Sequence, residues 1–148
     1  MGNTFMYLSK KYDRQITSFA GEYEFLSPDY QASFIYFGVK YNSITDAYDS
    51  LRERDIDVAL MRRLVYYRFY ANEGDKKKLF TLEKFYIAQQ VNNHDCFWNN
   101  CQCIDCLMVN ENMYGKILMD TRDRLIWEDK MARRRPNQHI NKWSSRYF

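Results

Sequence analysis

Aromatic side chains set the main condition this chain must satisfy to fold. Thirteen tyrosines, ten phenylalanines and three tryptophans occur among 148 residues. Each ring carries a large area to remove from water, and a buried tyrosine also needs a partner for its hydroxyl. Such a load demands a packed core, and the length fits one domain built around one. Hydrophobic residues make up 46% of the chain, enough to fill that core. Most rings are therefore expected inside, with a few left to wall a pocket that stacks a base or a ribose. Only two prolines and five glycines punctuate the sequence, which suits short connections. No internal repeat or low-complexity linker divides it.

Patterning predicts an α+β domain, mostly helical, with a small β-sheet at its N-terminal side. Residues 16–26, rich in Phe, Tyr and Thr, read as a strand. Asp29 and Gln31 mark a turn. Residues 32–41, with Phe34, Ile35, Phe37 and Val39, read as a second strand with a turn at Gly38, and the two strands are expected to pair as a hairpin. Asn42 or Ser43 can cap a helix running to about Arg52, because a short polar side chain satisfies the free amides of a first turn. Asp55 can cap the next helix. There Leu60, Leu64 and Tyr67 form one apolar stripe and Met61, Val65 and Phe69 a neighbouring one, so burial on more than one face is expected. Residues 75–84 are weakly helical, and 85–91 are a short strand or the end of that helix. Residues 92–111 are irregular. Residues 112–134 form a long helical pattern with Ile117, Leu118 and Leu125 inward, ended by Pro136.

The net charge of +3 comes from 22 basic and 19 acidic residues and is unevenly spread. Arg133, Arg134, Arg135, Lys142 and Arg146 fall within 131–148, where no acidic residue occurs, so removing those five leaves −2 on residues 1–130. That balance argues against a body-wide nucleic-acid surface, and nucleic acid is not the expected partner. Residues 131–148 read as a basic tail after a domain of residues 1–130. The tail is solvated, docked on a partner subunit, or set against a phosphate backbone with Trp143, Tyr147 and Phe148. No apolar run approaches membrane-spanning length, and no signal-peptide core is present. A cytoplasmic protein with no membrane partner is expected.

Cys96, Cys101, Cys103 and Cys106 crowd into eleven residues, just after His94. In a cytoplasmic chain disulfides are not expected. Thiolates at such spacing bind zinc, and the Cys103–Cys106 pair has the usual separation, so the four cysteines are candidate ligands of a structural zinc ion. The competing reading is four free or buried thiols acting as small apolar residues.

Three blocks in order resemble one family. The first is Glu24-Phe25-Leu26-Ser27-Pro28, followed by Phe37-Gly38-Val39-Lys40-Tyr41-Asn42-Ser43 and the helix from Ile44 to Arg52. The second is Asp95-Cys96-Phe97-Trp98-Asn99, and the third is Asn112-Met113-Tyr114-Gly115-Lys116-Ile117-Leu118-Met119 with Arg122. Together they are similar to the NADAR family, whose members bind nucleotides or ADP-ribose derivatives and cleave N-glycosidic bonds. The resemblance spans about residues 19–125 and is carried by the order and spacing of the blocks.

The resemblance implies a ligand site drawn from Phe25, Ser27, Tyr41, Ser43, Asp46, Arg52, Asp95, Trp98, Asn112, Gly115 and Arg122. Where the family has Glu-His this chain has Thr45-Asp46, and where the family has a helix lysine it has Arg52. Pro28 stands for a loop Asn, Asp49 for Gln, and Asn99 for the Gly after the Trp. Arginine stays protonated and cannot attack a ribose carbon as a neutral lysine can, although it binds phosphate well. Asp46 is the one candidate catalytic carboxylate, offset by one residue, a turn of about 100° on a helix. The implied function is capture of an ADP-ribose-derived nucleotide with cleavage lost, as in a viral protein that soaks up an immune signal in the host cytoplasm. The alternative is an active N-glycosidase acting on ADP-ribosyl-guanine or a riboflavin precursor. A second copy of the chain is a further candidate partner.

Overall fold

A computed structural model describes residues 11–134. The fold is mostly helical with small strand pairs, the α+β class that the patterning predicts. In chain order it runs through β1 (Arg14–Ile16), a 3-10 helix (Gly21–Leu26), β2 (Phe34–Tyr36), β3 (Val39–Tyr41) and α1 (Ile44–Leu51). It continues through α2 (Val58–Ala71), α3 (Glu73–Phe80), β4 (Phe85–Ile87), β5 (Gln90–Val91), β6 (Asn100–Cys101) and α4 (Met113–Arg134).

Helix α2 is the centre. Leu60, Met61, Leu64, Val65, Tyr66, Arg68 and Phe69 are all buried along it, which is the burial expected from its two apolar stripes. Helices α1, α3 and α4 and strand β2 pack around it. Its N-cap is Asp57, whose carboxylate accepts the Leu60 N–H at 3.2 Å, two residues beyond the expected Asp55. Helix α1 begins where the sequence places it. The Ser43 hydroxyl accepts the Asp46 N–H at 3.0 Å, and the Asp46 carboxylate accepts the Asn42 N–H at 3.1 Å, a reciprocal cap of the capping-box kind. Asn72 caps α3 in the same way through the Asp75 N–H.

The strands are not one N-terminal sheet. Strand β1 pairs in parallel with β4, Gln15 opposite Tyr86. Strand β5 pairs in parallel with β6, Val91 opposite Cys101. Only β2 and β3 make an antiparallel hairpin, Ile35 opposite Lys40. The expected strand over 16–26 ends at Ile16, because Phe25 and Leu26 are adjacent and both buried. A strand would have sent one of them to solvent; a 3-10 turn puts both inward. The hairpin therefore closes within residues 32–41. Its two-residue turn, Phe37 (φ 48°) and Gly38 (φ 79°), has the double positive φ of type I′.

Helix α4 runs from Met113 through residue 130 to Arg134, so the expected boundary at 130 falls inside a helix. Pro136 and the rest of the basic segment lie outside the described residues. The helix meets the body through the Tyr114 hydroxyl, which donates to the Leu26 carbonyl at 2.7 Å. It also meets the body through Gly115, where a methyl group would collide with the Ile87 carbonyl and the Asn112 amide. No described helix is long and apolar enough to cross a membrane.

Candidate functional site

Residues 92–111 connect β5 to α4 with little regular structure, and they carry the densest chemistry in the chain. Cys101 is buried at the start of this loop's second half. The Asn110 side chain grips it from both sides, accepting the Cys101 N–H at 2.8 Å and donating to the Cys101 carbonyl at 2.9 Å. A turn follows, with the Cys106 N–H donating to the Cys103 carbonyl at 3.2 Å. The turn brings Cys103 and Cys106 back over Cys101. His94 arrives from the other end of the loop, held at φ 64°, and its Nδ1 lies 3.3 Å from the Cys103 Sγ and 3.9 Å from the Cys106 Sγ.

His94, Cys101, Cys103 and Cys106 thus form one group, with potential ligand atoms all within 4.8 Å of one another, and this group could hold a metal ion. The dimensions suit a tetrahedral site. Zinc–sulfur and zinc–nitrogen bonds of ordinary length put the sulfur–nitrogen edge at about 3.6 Å, between the two distances observed. Crowding also separates the thiols electrically. The Cys101 thiol is held below its ordinary range, first by the backbone N–H of Cys103. The Cys106 thiol is pushed up, first by its hydrogen bond with the Cys103 thiol and then by burial. Thiols arranged this way compete for negative charge, and a bound cation relieves that competition.

The expected set of four cysteines is therefore corrected at one position. Cys96 is outside the group; its backbone carbonyl instead accepts the Glu111 N–H at 2.7 Å. His94 takes the fourth place. Its position just before the cysteines was visible in the sequence, but only the left-handed backbone at 94 turns the ring toward them.

The residues implied by the resemblance divide into two groups. Phe25, Ser43, Asn112, Gly115 and Arg122 are buried frame. Phe25 meets Phe69 edge-on with ring centres 6.3 Å apart. Asn112 donates to the Ile87 carbonyl at 2.9 Å. Arg122 donates to the carbonyls of Leu82 and Phe85 at 2.8 and 2.7 Å and pairs with Asp123. These residues are buried within the body, and the Asn112 Oδ1 has no hydrogen-bond partner among the described residues.

The second group stays accessible. Trp98 is half-buried, edge-on to Tyr48 of α1 with ring centres 5.8 Å apart, and its backbone N–H donates to the Asp95 carboxylate at 2.9 Å. Asp95 also receives the Asn99 amide. Across from them, the Asp29 N–H donates to the Ser27 hydroxyl, and the Thr45 hydroxyl donates to the Asp29 carboxylate at 2.6 Å. Asp46 caps α1. Arg52 lies between Asp49 at 3.9 Å and Asp55 at 3.5 Å. Tyr41 stands apart from these in the hairpin, half-buried against Phe34.

Two features were not anticipated. Arg68 is fully buried in α2, paired with Asp75 at 2.7 Å, and its NH1 nitrogen has no hydrogen-bond partner among the described residues. The sequence signal was an arginine four residues after Leu64, on an otherwise apolar stripe. A groove of about 470 Å³ lies between the hairpin and α2, lined by Phe34, Ile35, Lys40, Tyr67 and Tyr70 among others. None of the anticipated ligand residues lines it. No family model, curated protein or solved structure matches the chain.

Proposed function

We propose that this domain captures an ADP-ribose-like nucleotide without cleaving it, as a divergent relative of the NADAR family. The observation that carries this reading is the engagement of the polar groups on α1 beside Trp98. Thr45 stands at the family's acid/base position, and Asp46, the carboxylate offset from it by one residue, holds the Asn42 N–H. Thr45 is bound to Asp29, and Arg52 sits between two carboxylates. Groups fixed this way can orient a ligand but do not supply a mobile proton. The half-buried Trp98 face gives a base or ribose something to stack on. Capture without turnover suits a protein that sequesters an ADP-ribose-derived signal, such as a viral counter-defence protein in a host cytoplasm. The N-glycosidase alternative requires Asp46 to release its helix cap before it can act.

Calorimetry with ADP-ribose, followed by chromatography of the recovered ligand, tests this. Saturable binding with intact ligand is the expected result. Multiple turnover to free ribose products overturns the non-cleaving reading, and an absence of heat at millimolar ligand overturns the nucleotide reading itself.

The group of His94, Cys101, Cys103 and Cys106 is proposed to hold one structural zinc ion. Three thiolates and an imidazole complete a four-coordinate set and leave no open position for a reacting water, which is the pattern of a structural rather than a catalytic zinc. Elemental analysis of protein purified without added metal should give about one zinc per chain. A stoichiometric yield of a different metal, or none, refutes zinc.

A further inference from the structure

The ends of the Trp98 loop fall at members of the group that could hold a metal ion. His94 directly precedes Asp95, and Cys101 directly follows Asn100, so a metal joining the two closes a ring around residues 95–100. That ring contains two half-buried members of the candidate nucleotide rim, Asp95 and Trp98. We propose that metal binding at His94, Cys101, Cys103 and Cys106 fixes the 95–100 loop, and that His94 is thereby a positioning residue for the Trp98 indole. This rests on the metal reading given above.

The hydrogen bonds of the loop show why it needs such a closure. Its middle and far end are attached to the body: the Glu111 N–H donates to the Cys96 carbonyl at 2.7 Å, and the Asn100 N–H donates to the Gln89 carbonyl at 2.9 Å. The Met113 N–H donates to the Phe97 carbonyl at 2.9 Å, and the Tyr114 N–H to the Trp98 carbonyl at 3.0 Å. Within the loop, Asp95 binds Trp98 and Asn99, contacts only three and four residues apart. His94 is held through its backbone, its carbonyl accepting the Cys96 N–H at 3.0 Å and its N–H meeting the Cys101 thiol, while the residue itself stays exposed. Its backbone sits in the left-handed region, which a non-glycine residue occupies only when its surroundings hold it there. The contacts that reach its ring are the Cys103 and Cys106 sulfurs. A metal ion converts those contacts into bonds. The other end is already rigid, because Asn110 clamps Cys101 and the Gln102 N–H donates to the Val91 carbonyl. The metal therefore ties an exposed end to a firmly held one. Closing a short loop in this way removes most of the chain freedom the loop would otherwise keep.

Hydrogen exchange on the full-length chain, with one equivalent of zinc and after removal by a chelator, tests the inference. Zinc removal should speed amide exchange across 93–103 by about tenfold or more, while α2 stays protected. In a Trp127→Phe, Trp143→Phe background, emission reports Trp98 alone and should shift to the red. The variant His94→Ala should reproduce both changes and weaken zinc binding by about a hundredfold. Cys96→Ser, a thiol removed outside the group, should reproduce neither. Zinc that binds stoichiometrically while exchange at 93–103 and Trp98 emission stay unchanged overturns the positioning role and leaves the metal reading intact. Failure to bind zinc at all overturns both. Equal loss of protection in α2 makes the metal a requirement of the whole fold and overturns the local role.

Discussion

Gly115 shows how one residue governs the approach of two elements. It lets α4 run against the end of β4, where any Cβ would strike the Ile87 carbonyl and the Asn112 side chain. Gly115→Ala should cost about 2–3 kcal/mol, since overpacking a site walled by backbone cannot be relieved by a rotamer change. A urea midpoint equal to that of the parent protein would disprove the close approach. Arg68 poses the opposite problem, a charge rather than a void. Arg68→Met leaves the buried Asp75 carboxylate with only the longer Lys78 contact at 3.8 Å among its ion pairs in the described residues and should cost about 3 kcal/mol. The double variant Arg68→Met, Asp75→Leu should recover most of that loss. If the double variant were as unstable as the single one, the ion pair would not be the source of the cost. At this scale the sequence was informative about residue types and poor on their commitments. Asn112, Gly115 and Arg122 stand out in the sequence, and in the structure Asn112 and Arg122 donate to backbone carbonyls while Gly115 sits in a close helix–strand approach. A sequence shows that a residue is unusual for its position, but its partner lies 25 to 40 residues away along the chain.

At the scale of elements, local rules succeeded where one segment decides its own shape. The Ser43 cap, the burial of α2 and the length of α4 all follow from side chains within a few turns. They failed where pairing is remote. Strand β1 is three residues long and finds β4 about seventy residues later, so no alternation pattern could announce it. The hairpin is an instructive intermediate case. Its type I′ turn favours Asn-Gly, but the chain has Phe37-Gly38 there, with Phe37 86% exposed and at positive φ. Phenylalanine therefore gains little burial beyond an edge-on contact with the Tyr36 ring, centres 4.7 Å apart, and bears backbone strain. Phe37→Asn should raise stability by about 1 kcal/mol, read as a higher denaturation midpoint. A fall in the midpoint would show that the Tyr36 contact outweighs the strain.

At the scale of the whole molecule, two tyrosines tie the long last helix to everything before it. The Tyr66 hydroxyl of α2 donates to the Glu128 carboxylate at 2.8 Å, near the far end of α4. The Tyr114 hydroxyl binds the Leu26 carbonyl at its near end. Burial is the first cause that pushes both phenols above the ordinary value of 10.0, and for Tyr66 the Glu128 hydrogen bond adds to it. Folding therefore favours the protonated phenol at each end. The sign of the pH dependence follows from that. Where a group's folded pKa is raised, its contribution is complete below the unfolded value and is lost as pH climbs toward the folded one. Stability should be nearly flat in this respect from neutrality to about pH 9 and fall beyond pH 10. Lysines also lose charge in that range, so the useful measurement is a difference. Tyr66→Phe removes one phenol and its bond to Glu128, which costs about 1 kcal/mol near neutrality. Because the variant has no phenol to ionise, its urea midpoint should fall less steeply than the parent's between pH 9 and 11, and the two curves should converge. Parallel curves across that interval would mean that Tyr66 is not a proton-linked tie, and that α4 is held to α2 without help from the ionisation of this phenol.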